Sequence, residues 1–234
     1  MFPLKDTIPS YTKPVLTISL IAANVIVFFY ELSLDPRELM IFLYNYGFVP
    51  GRYTLEQLKE VAVFKSNPII PVISSMFLHG GWTHLIGNMW SLWLFGDNVE
   101  DLMGKFNFLI FYICSGLVAM GMHFITNLHS TVPTIGASGA ISGVMGAYFA
   151  FFPYSRIITL VFIFFFPMFV AIPAVIYLGL WFLSQIFNGT LSVVVGNFSG
   201  VAWWAHIGGF IFGMLAGSFF VKRRPRGYNR YIDV

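Results

Sequence analysis

Long apolar segments, separated by short polar or glycine-containing breaks, dominate the hydrophobic pattern of the chain. Each is long enough to cross a hydrocarbon core of about 30 Å as a helix, and the short alternating segments typical of a transmembrane barrel are not found. No charged side chain occurs between residues 157 and 221. A single helix of that length would measure about 98 Å at a rise of 1.5 Å per residue. This stretch must therefore cross the membrane more than once.

The breaks between the apolar segments predict six membrane-spanning helices. Pro167 and Pro173 interrupt the beginning of the uncharged stretch, and Asn188, Gly189 and Asn197 interrupt its middle. The predicted spans cover residues 15–32, 82–101, 106–125, 135–152, 172–187 and 201–221. The shorter apolar stretch 68–77 is expected to lie along the membrane as part of the first loop. A cleaved signal peptide is an alternative for residues 15–32, although that run is long for one and has no obvious cleavage site.

Composition agrees with this prediction, since 57% of the residues are hydrophobic and only 10% are charged. So few charges would not cover the surface of a soluble domain of 234 residues. The predicted fold class is an all-α polytopic membrane protein, with a six-helix membrane domain over residues 1–221 and a basic tail over residues 222–234. The single cysteine, Cys114, allows neither an intramolecular disulfide nor a cysteine metal cluster.

Basic residues indicate the orientation of the chain. Five of them follow the last span: Lys222, Arg223, Arg224, Arg226 and Arg230. A nucleic-acid patch is an alternative, but basic residues directly after an apolar span are more typical of a cytoplasmic anchor. Lys5 and Lys13 favour the same side for the other end of the chain, which agrees with an even number of spans. We therefore expect both termini to be cytoplasmic, in the plasma membrane of a prokaryote.

Four polar residues are predicted to lie at one depth near the outer surface. In the predicted topology Ser138 and His206 each lie roughly 8–9 Å below the outer end of their span, at 1.5 Å per residue. His84 and Asn88 lie four residues apart on one face of the second span, at a similar depth. Polar and ionisable side chains inside a membrane cost free energy, so they are functional candidates by default. Their common depth predicts a site.

The chemistry of this set suits acyl transfer. A serine and a histidine form a nucleophile with its general base. The side chains of Asn88 and His84, together with the backbone N–H of Ser138, are hydrogen-bond donors for a developing oxyanion. Gly136 allows the backbone to turn close to the reacting carbonyl group. Because no Asp or Glu occurs between Asp101 and Asp233, the predicted catalytic unit is a dyad.

Glycines on the fourth and sixth spans predict a close contact between the two helices that carry Ser138 and His206. Gly139 and Gly143 form a small-xxx-small pair on one helix, and Gly209 and Gly213 form another on the second helix. Such pairs are also common in transmembrane bundles for packing alone, and a serine beside them often bonds to its own helix backbone. The glycines by themselves therefore do not establish a site.

Taken in order along the chain, these motifs resemble those of the rhomboid intramembrane serine proteases. The matching segments are YGFVPG at 46–51, HGGWTHLIGNMW at 79–90, FGDNVED at 95–101, GASGAISG at 136–143, FPYSRI at 152–157 and AHIGGFIFG at 205–213. The resemblance implies a six-helix fold, Ser138 as nucleophile, and His206 as general base and then acid. It also implies that Asn88, His84 and the Ser138 amide hold the oxyanion, and that transmembrane proteins in the lipid bilayer are the substrates.

Two further residues take their expected roles from the same comparison. Some members of the family have an aromatic residue four positions after the nucleophile; here that position is Ser142, which could hydrogen-bond to the base. His79 corresponds to the first histidine of the family motif and is expected to brace the loop. No metal, cofactor or nucleic acid is predicted. The alternatives are an inactive relative that binds membrane proteins without cutting them, and a histidine-ligated haem or metal transporter.

Overall fold

The computed structural model of the chain describes residues 2–59, 63–195 and 200–222. The helices are α1 (Val15–Ser33), α2 (Pro36–Tyr46), α3 (Gly51–Thr54), α4 (Glu56–Lys59), α5 (Pro71–Ser74), α6 (Trp82–Met103), α7 (Lys105–Thr126), α8 (Ser138–Phe151), α9 (Ala174–Val195) and α10 (Trp203–Ala216). Short 3₁₀ turns cover Ser75–Phe77 and Gly217–Phe220. The predicted basic tail, apart from Lys222, and the predicted break at Asn197 lie outside the described residues.

Four of the described helical segments are long and apolar enough to cross a membrane, by length and composition. They are α1, α7, α9 and the segment Trp203–Phe220, which combines α10 with its following 3₁₀ turn. Helix α8 is apolar but only 14 residues long. Helix α6 has 22 residues and includes Asp97, Glu100 and Asp101. The predicted spans at 106–125 and 201–221 therefore match helices closely, and those at 82–101 and 135–152 fall on α6 and α8.

Helix α8 occupies the centre of the bundle and packs against α6, α7, α9 and α10. Its contact with α10 is close because glycines of α10 lie directly against the backbone of glycines in α8. A Cβ atom added to Gly213 would overlap the backbone oxygen of Gly143, and one added to Gly209 would overlap the backbone oxygen of Gly139. Around this contact lies a core of apolar side chains that includes Val144, which is fully buried. The two helices are therefore closer together than any larger residue would permit.

The fold is mostly helical, as expected, but it is not all-α, because a three-stranded antiparallel sheet is also present. Its strands are β1 (Phe2–Asp6), β2 (Arg156–Ile163) and β3 (Phe166–Pro173), in the spatial order β1-β2-β3. Strands β2 and β3 form a hairpin in which Arg156 pairs with Pro173 and Ile163 pairs with Phe166. The hairpin occupies the stretch in which the sequence analysis placed prolines as helix breaks. Consequently, the fifth long helix begins at Ala174 and continues to Val195, beyond the predicted end at residue 187.

The residues of the hairpin explain the strands. Branched and aromatic side chains fill β2 and β3, and such residues favour a strand. Both prolines lie in β3, an edge strand, where a missing N–H need not interrupt a ladder. Phe164, between the two strands, has a positive φ of 56°, as a tight turn requires.

Strand β1 runs along α6. The indole nitrogen of Trp90 donates a hydrogen bond to the backbone oxygen of Pro3 (2.7 Å), and the side-chain amide of Asn98 donates one to the carboxylate of Asp6 (2.9 Å). The hydroxyl of Tyr148 on α8 also donates to Asp6. Asp6 thus joins β1 to two helices of the bundle.

Acidic residues at the end of α6 fix the beginning of α1. The carboxylate of Glu100, which is 2% exposed, accepts hydrogen bonds from the backbone N–H groups of Leu16 (3.0 Å) and Thr17 (2.8 Å) and from the Thr17 hydroxyl (2.9 Å). Asp101 accepts from the backbone N–H of Tyr11. The first N–H groups of a helix have no partner within the helix, so Glu100 satisfies two of them and holds α1 against α6.

The loop between α1 and α6 contains short helices that precede the Gly80–Gly81 break. Asp35 caps α2 in a capping box with Glu38. In the stretch 68–77, which was expected to lie along the membrane, Ile69, Ile70 and Ile73 are exposed. The loop ends at His79, whose backbone N–H donates to the buried carboxylate of Glu31 on α1 at 3.2–3.3 Å. That bond joins the end of the loop to the bundle just before α6 begins.

Candidate active site

Ser138 and His206 are in direct contact. Ser138 is the first residue of α8, and His206 lies in the first turn of α10. The Oγ atom of Ser138 is 2.8 Å from Nε2 of His206, which is a hydrogen-bonding distance. We call the end of the bundle at which α6, α8 and α10 begin the site face. The two residues meet there, as the matching depths in the sequence predicted.

The small residues of both helices make this contact possible. A Cβ atom added to Gly139 would lie 2.7 Å from the Cβ of Ala119 on α7 and 3.9 Å from that of Ala205. One added to Gly143 would overlap the hydroxyl of Ser115 on α7. The glycines of α8 thus lie directly against small side chains of α7 and against the backbone of α10, and the first residue of α8 is brought next to His206.

The second ring nitrogen of His206 has a partner that the sequence analysis did not include. Nδ1 of His206 lies 2.9 Å from Oε1 of Gln185 on α9. The available signal was that Gln185 is an amide in an apolar predicted span, and intramembrane polar residues are functional candidates. The same rule that singles out polar residues of the second, fourth and sixth spans therefore applies to Gln185 in the fifth.

Two tryptophan rings lie beside His206, although position 142, which is aromatic in some family members, is a serine here. The ring centroid of Trp181 is 6.0 Å from that of His206 at an interplanar angle of 33°, and the Trp203 ring approaches edge-on at 6.3 Å. The expectation that Ser142 could hydrogen-bond to the base is wrong. Its hydroxyl donates instead to the backbone oxygen of Ser138 at 2.6 Å, because an i−4 carbonyl lies directly beside it.

His84 lies against the backbone that precedes Ser138. The backbone N–H of Gly80 donates to Nδ1 of His84 at 3.3 Å, so in a neutral ring the proton lies on Nε2. That Nε2 faces Gly136: a Cβ atom added there would lie 2.7 Å from it and 3.6 Å from the Ser138 hydroxyl. Gly136 also has a φ of 126°, which residues with a Cβ rarely adopt. His84 therefore presents an N–H donor beside the serine across a glycine.

Asn88 follows one helical turn after His84 on α6. Its side chain is 7% exposed, and its amide nitrogen has no hydrogen-bond partner among the described residues. A buried amide without a partner costs free energy, so an unused donor of this kind requires an explanation. An oxygen atom that is present only during a reaction would provide one.

The remaining histidines of the described residues do not contact Ser138. His79 is buried beside His84, with ring centroids 5.1 Å apart, and both of its ring nitrogens lack a partner among the described residues. Burial, reinforced by the neighbouring His84, lowers the pKa of His79 to about 4, so its ring is neutral at physiological pH. Nε2 of His123 lies 2.7 Å from the Thr134 hydroxyl.

A small cavity of about 40 Å³ adjoins Ser138, between the beginning of α8 and the middle of α7. Its lining combines small residues such as Gly116 and Ala119 with the polar residues Ser75, His123 and Thr134. A volume of roughly 10–15 Å³ is enough to accommodate the centre of a water molecule, provided that polar partners are present. The cavity therefore has room for water next to the serine.

No carboxylate belongs to the constellation around His206 in the described part of the chain. Glu100 and Asp101 are bonded to residues near the beginning of α1. Glu31 is bonded to the backbone of His79. Across residues 2–59, 63–195 and 200–222, no group of three or more His, Cys, Asp or Glu side chains could hold a metal ion. The polar side chains described beside Ser138 are those of His206 and His84, and His206 in turn contacts Gln185.

With this geometry established, comparison with known proteins identifies the family. The sequence model of the Rhomboid domain matches residues 66–223. The chain belongs to the rhomboid family, which confirms the resemblance drawn from its motifs. Because that family consists of membrane-embedded proteins, the bilayer is the environment of this fold.

Individual relatives show how far the similarity extends. "Rhomboid protein 1, mitochondrial" of Saccharomyces cerevisiae is 31% identical over 161 residues, 65% of this chain and 42% of its own length. "Presenilin-associated rhomboid-like protein, mitochondrial" of Homo sapiens is 28% identical over 171 residues, 68% of this chain and 41% of its own length. YdcA of Bacillus subtilis, also named for the rhomboid family, is 39% identical over 73 residues, 31% of this chain and 36% of its own length.

These relatives correct the expected location. A prokaryotic plasma membrane with cytoplasmic termini was expected, but the yeast and human relatives, aligned over about two thirds of the chain, are named as mitochondrial. The Bacillus subtilis alignment covers less than one third. Basic residues indicate which ends of a chain share a side, but they do not identify the membrane in which the chain lies. The chain spans about two fifths of the length of the mitochondrial relatives.

Proposed function

We propose that this chain is an intramembrane serine endopeptidase with a six-helix bundle formed by α1, α6, α7, α8, α9 and α10. The observation that carries the proposal is the 2.8 Å contact between Oγ of Ser138 and Nε2 of His206 at the site face. A serine hydroxyl is a weak nucleophile because it keeps its proton at neutral pH. An adjacent base that accepts this proton activates the hydroxyl. Membership of the rhomboid family supports the assignment of this pair.

The reaction follows from the positions of the atoms. Ser138 Oγ attacks the carbonyl carbon of the scissile peptide while its proton passes to Nε2 of His206. His206 then donates that proton to the leaving nitrogen, which breaks the C–N bond and leaves an acyl ester on Ser138. Water, deprotonated by His206, attacks the ester and releases the carboxylic acid and the serine. The cavity beside Ser138 offers space for that water.

The oxyanion of each tetrahedral intermediate is held by three donors. They are the side-chain amide of Asn88, Nε2–H of His84 and the backbone N–H of Ser138. The last belongs to the first turn of α8, where N–H groups have no partner within the helix and the helix dipole also favours an anion. The partnerless amide of Asn88 and the orientation of His84 towards Gly136 support these roles.

The proposed substrates are single-pass membrane proteins that are cut near the site face. A peptide bond within a helix is shielded by the helix's own hydrogen bonds, so the substrate segment must unwind before Ser138 reaches it. Unwinding in hydrocarbon costs several kcal/mol per exposed backbone group, and less in a cavity that contains water. Spans with Gly, Pro or Ser near this face unwind more easily and should be preferred. By the names of its relatives, the membrane is mitochondrial.

Labelling with a serine-directed phosphonate tests the proposal directly. The purified chain in liposomes should be labelled once per molecule, and Ser138→Ala should abolish both labelling and cleavage of a test span while the protein stays folded. His206→Ala should have the same effect, and the double variant should cost little more, because the two residues act as a unit. Substantial turnover by Ser138→Ala would contradict the proposal.

The substrate preference is tested with two versions of one transmembrane segment. A segment with a Gly- and Ala-rich turn at the site face should be cut faster than an all-Leu segment of equal length. Equal rates for the two segments, or cuts at the opposite end, would show that the proposed substrate class is wrong even if Ser138 is the nucleophile.

A further inference from the structure

An amide side chain on α9 points at the nitrogen of His206 that does not face Ser138. Gln185 is 5% exposed, and its Oε1 lies 2.9 Å from Nδ1 of the histidine. It lies in an apolar stretch, between Phe182 and Phe187. A buried amide within a membrane-spanning helix costs free energy unless its polar atoms are hydrogen-bonded. The bond to His206 satisfies the side-chain oxygen of Gln185.

The orientation of the Gln185 amide is fixed by its own helix. The amide nitrogen of Gln185 lies 3.2 Å from the backbone oxygen of Trp181 and 3.0 Å from the hydroxyl of Ser184. The Ser184 hydroxyl in turn donates to the same Trp181 oxygen. A backbone carbonyl oxygen only accepts hydrogen bonds, so the side-chain nitrogen must face it. The side-chain oxygen of Gln185 must therefore face His206.

This orientation determines which nitrogen of His206 carries the proton. Because Oε1 of Gln185 only accepts, Nδ1 of His206 must be the donor. In a neutral imidazole the other nitrogen is then unprotonated, so Nε2 is free to accept the proton of Ser138 at 2.8 Å. The chain of bonds from the Trp181 carbonyl through Gln185 to His206 thus selects the tautomer in which the serine can be deprotonated.

We propose that Gln185 is a positioning residue that completes a Ser138–His206–Gln185 triad, in which a neutral amide takes the place of a carboxylate. Its oxygen holds the ring of His206 in the reactive tautomer and orientation. The same bond stabilises the ring after it accepts the serine proton, because an N–H of a cation is a stronger donor than that of a neutral ring. This inference rests on the proposed function and adds one residue to its mechanism.

The surroundings of His206 give the amide a definite electrostatic role. His206 is faced by Ser138 on α8 and Gln185 on α9, and the titratable groups that act on it are His84 on α6 and His123 on α7. No carboxylate is near enough to act in the described part of the chain. A carboxylate in the place of Gln185 would favour the protonated ring, whereas an amide keeps the ring neutral and able to act as a base over a wider range of pH.

Three variants of the 234-residue chain in liposomes test the triad. Gln185→Leu removes the acceptor at similar size, and Gln185→Glu supplies a charged acceptor. Asn188→Leu is the matched control: it removes an amide one turn further along α9 whose side chain donates to the backbone oxygen of Ser184. Phosphonate labelling rate, kcat and KM on a test span, and the pH dependence of kcat/KM are measured for each, together with thermal unfolding.

Gln185→Leu should reduce kcat and the labelling rate roughly 10–100-fold with little change in KM, because it removes one hydrogen bond to a group that becomes charged. Gln185→Glu should move the acidic limb of the pH profile upward by about one pH unit or more, since a carboxylate at hydrogen-bonding distance favours the protonated ring. Asn188→Leu should keep the wild-type pH midpoint. A merely structural role of Gln185 would not move that midpoint.

Wild-type rates in a folded Gln185→Leu, or a wild-type pH midpoint in Gln185→Glu, would overturn the triad. If Gln185→Leu fails to fold, the pH midpoint of Gln185→Glu decides alone. Failure of the proposed function is distinct from failure of the triad. It would appear as wild-type protein that the phosphonate does not label, or as labelling that survives Ser138→Ala, and in either case the triad falls as well.

Discussion

At the scale of single residues, the donor groups around Ser138 show how the site is prepared before a substrate arrives. The buried amide nitrogen of Asn88 has no partner in the described part of the chain, and His84 keeps its Nε2–H directed at a glycine. The unpaired amide nitrogen of Asn88 costs stability in the resting protein. In the proposed mechanism, both donors are used when an oxygen with developing negative charge appears, as catalysis by a prepared oxyanion site requires.

The first prediction concerns the unused donor of Asn88. Asn88→Ala should lower kcat by about 10²–10³, the usual cost of one lost oxyanion donor. Thermal stability should not fall, because a partnerless buried amide is removed. Ser91→Ala is the control and should change neither quantity; Ser91 is a half-buried polar residue of the same helix whose hydroxyl donates to the backbone oxygen of Gly87. A stability loss that accounts for the whole activity loss would contradict the assignment.

The second prediction concerns Gly136. An alanine there would be strained at a φ of 126°, and its Cβ would meet Nε2 of His84 at 2.7 Å, so Gly136→Ala should displace the ring and lower kcat by about 10²–10³. Gly104→Ala is the control for strain alone. Gly104 also has a positive φ, 72°, but its nearest contact is the side chain of Lys222 at 3.8 Å, far from the site. Gly104→Ala should lose stability and keep its kcat; equal kcat values for the two variants would argue against the His84 contact.

The sequence was sufficient to predict Ser138 and His206 as a pair, because each is a costly polar residue at a matching depth on a helix rich in small residues. The sequence marks Gln185 as an amide in an apolar span, but it does not place Gln185, Trp181 or Trp203 next to His206. Those contacts depend on how α9 is rotated, and the apolar pattern of α9 is nearly the same on all sides, so no face is distinguished. The partner of Ser142 was also missed, because a serine in a helix can bond backward to its own carbonyl as readily as across the bundle.

At the scale of elements, the contact between α8 and α10 determines where the two reactive residues meet. Backbone lies against backbone at Gly143 and Gly213, so a single added methyl group has nowhere to go. Overpacked cores typically lose 1–3 kcal/mol, and a methyl group against a rigid backbone oxygen should cost at least about 2 kcal/mol.

The third prediction follows from that contact. Gly213→Ala should lower the melting temperature and reduce activity together, because separating α10 from α8 lengthens the bond between Ser138 and His206. The control is Gly87→Ala on α6, where an added Cβ meets nothing within 4 Å. That variant should keep or slightly raise stability, since alanine favours a helix over glycine. A Gly213→Ala protein with unchanged melting temperature and activity would show that α8 and α10 are less tightly packed than the contact between Gly143 and Gly213 indicates.

The elements themselves were predicted unequally. Residues 106–125 were predicted as a helix and form most of α7, since the apolar run is long and bounded by a glycine and an asparagine. The β2–β3 hairpin was missed because its apolar residues carry no alternation, and an unbroken apolar run reads equally as a buried helix or a strand. Branched and aromatic residues around Pro167 were the remaining signal for strands.

At the scale of the whole molecule, Asp6 connects the sheet to the bundle and makes its attachment sensitive to pH. Burial raises the pKa of Asp6 to about 6, although the hydrogen bond from Tyr148 acts in the opposite direction, and Asp97 is a second acidic group that faces it. A raised pKa means that the protonated form is favoured in the folded protein. Asp6 thus contributes stability that is complete below its unfolded value of about 3.9 and is lost as the pH rises through about 6.

The fourth prediction is that Asp6→Asn stabilises the protein above pH 6. The asparagine keeps an oxygen for Tyr148 and Asn98 without burying a charge, so the gain should be on the order of 2–3 kcal/mol at pH 8 and should vanish below about pH 4. Thermal unfolding across this pH range measures it. Tyr148→Phe, which removes a bond that favours the carboxylate, should shift the midpoint of the wild-type curve upward. If Asp6→Asn is less stable than wild type at pH 8, the ionised carboxylate is a net stabiliser and the prediction is wrong.

The pairing of β1 with β2 also sets an order of events during synthesis. Asp6 lies opposite Ile157, about 150 residues later in the chain. At a translation rate of 5–20 residues per second, the first strand waits roughly 8–30 s before its partner exists. Helices α1, α6, α7 and α8 are all made in that interval. The sheet can therefore form only after these four helices have been made, and until then the groups of β1 that later pair with β2 need another partner, such as water or a chaperone.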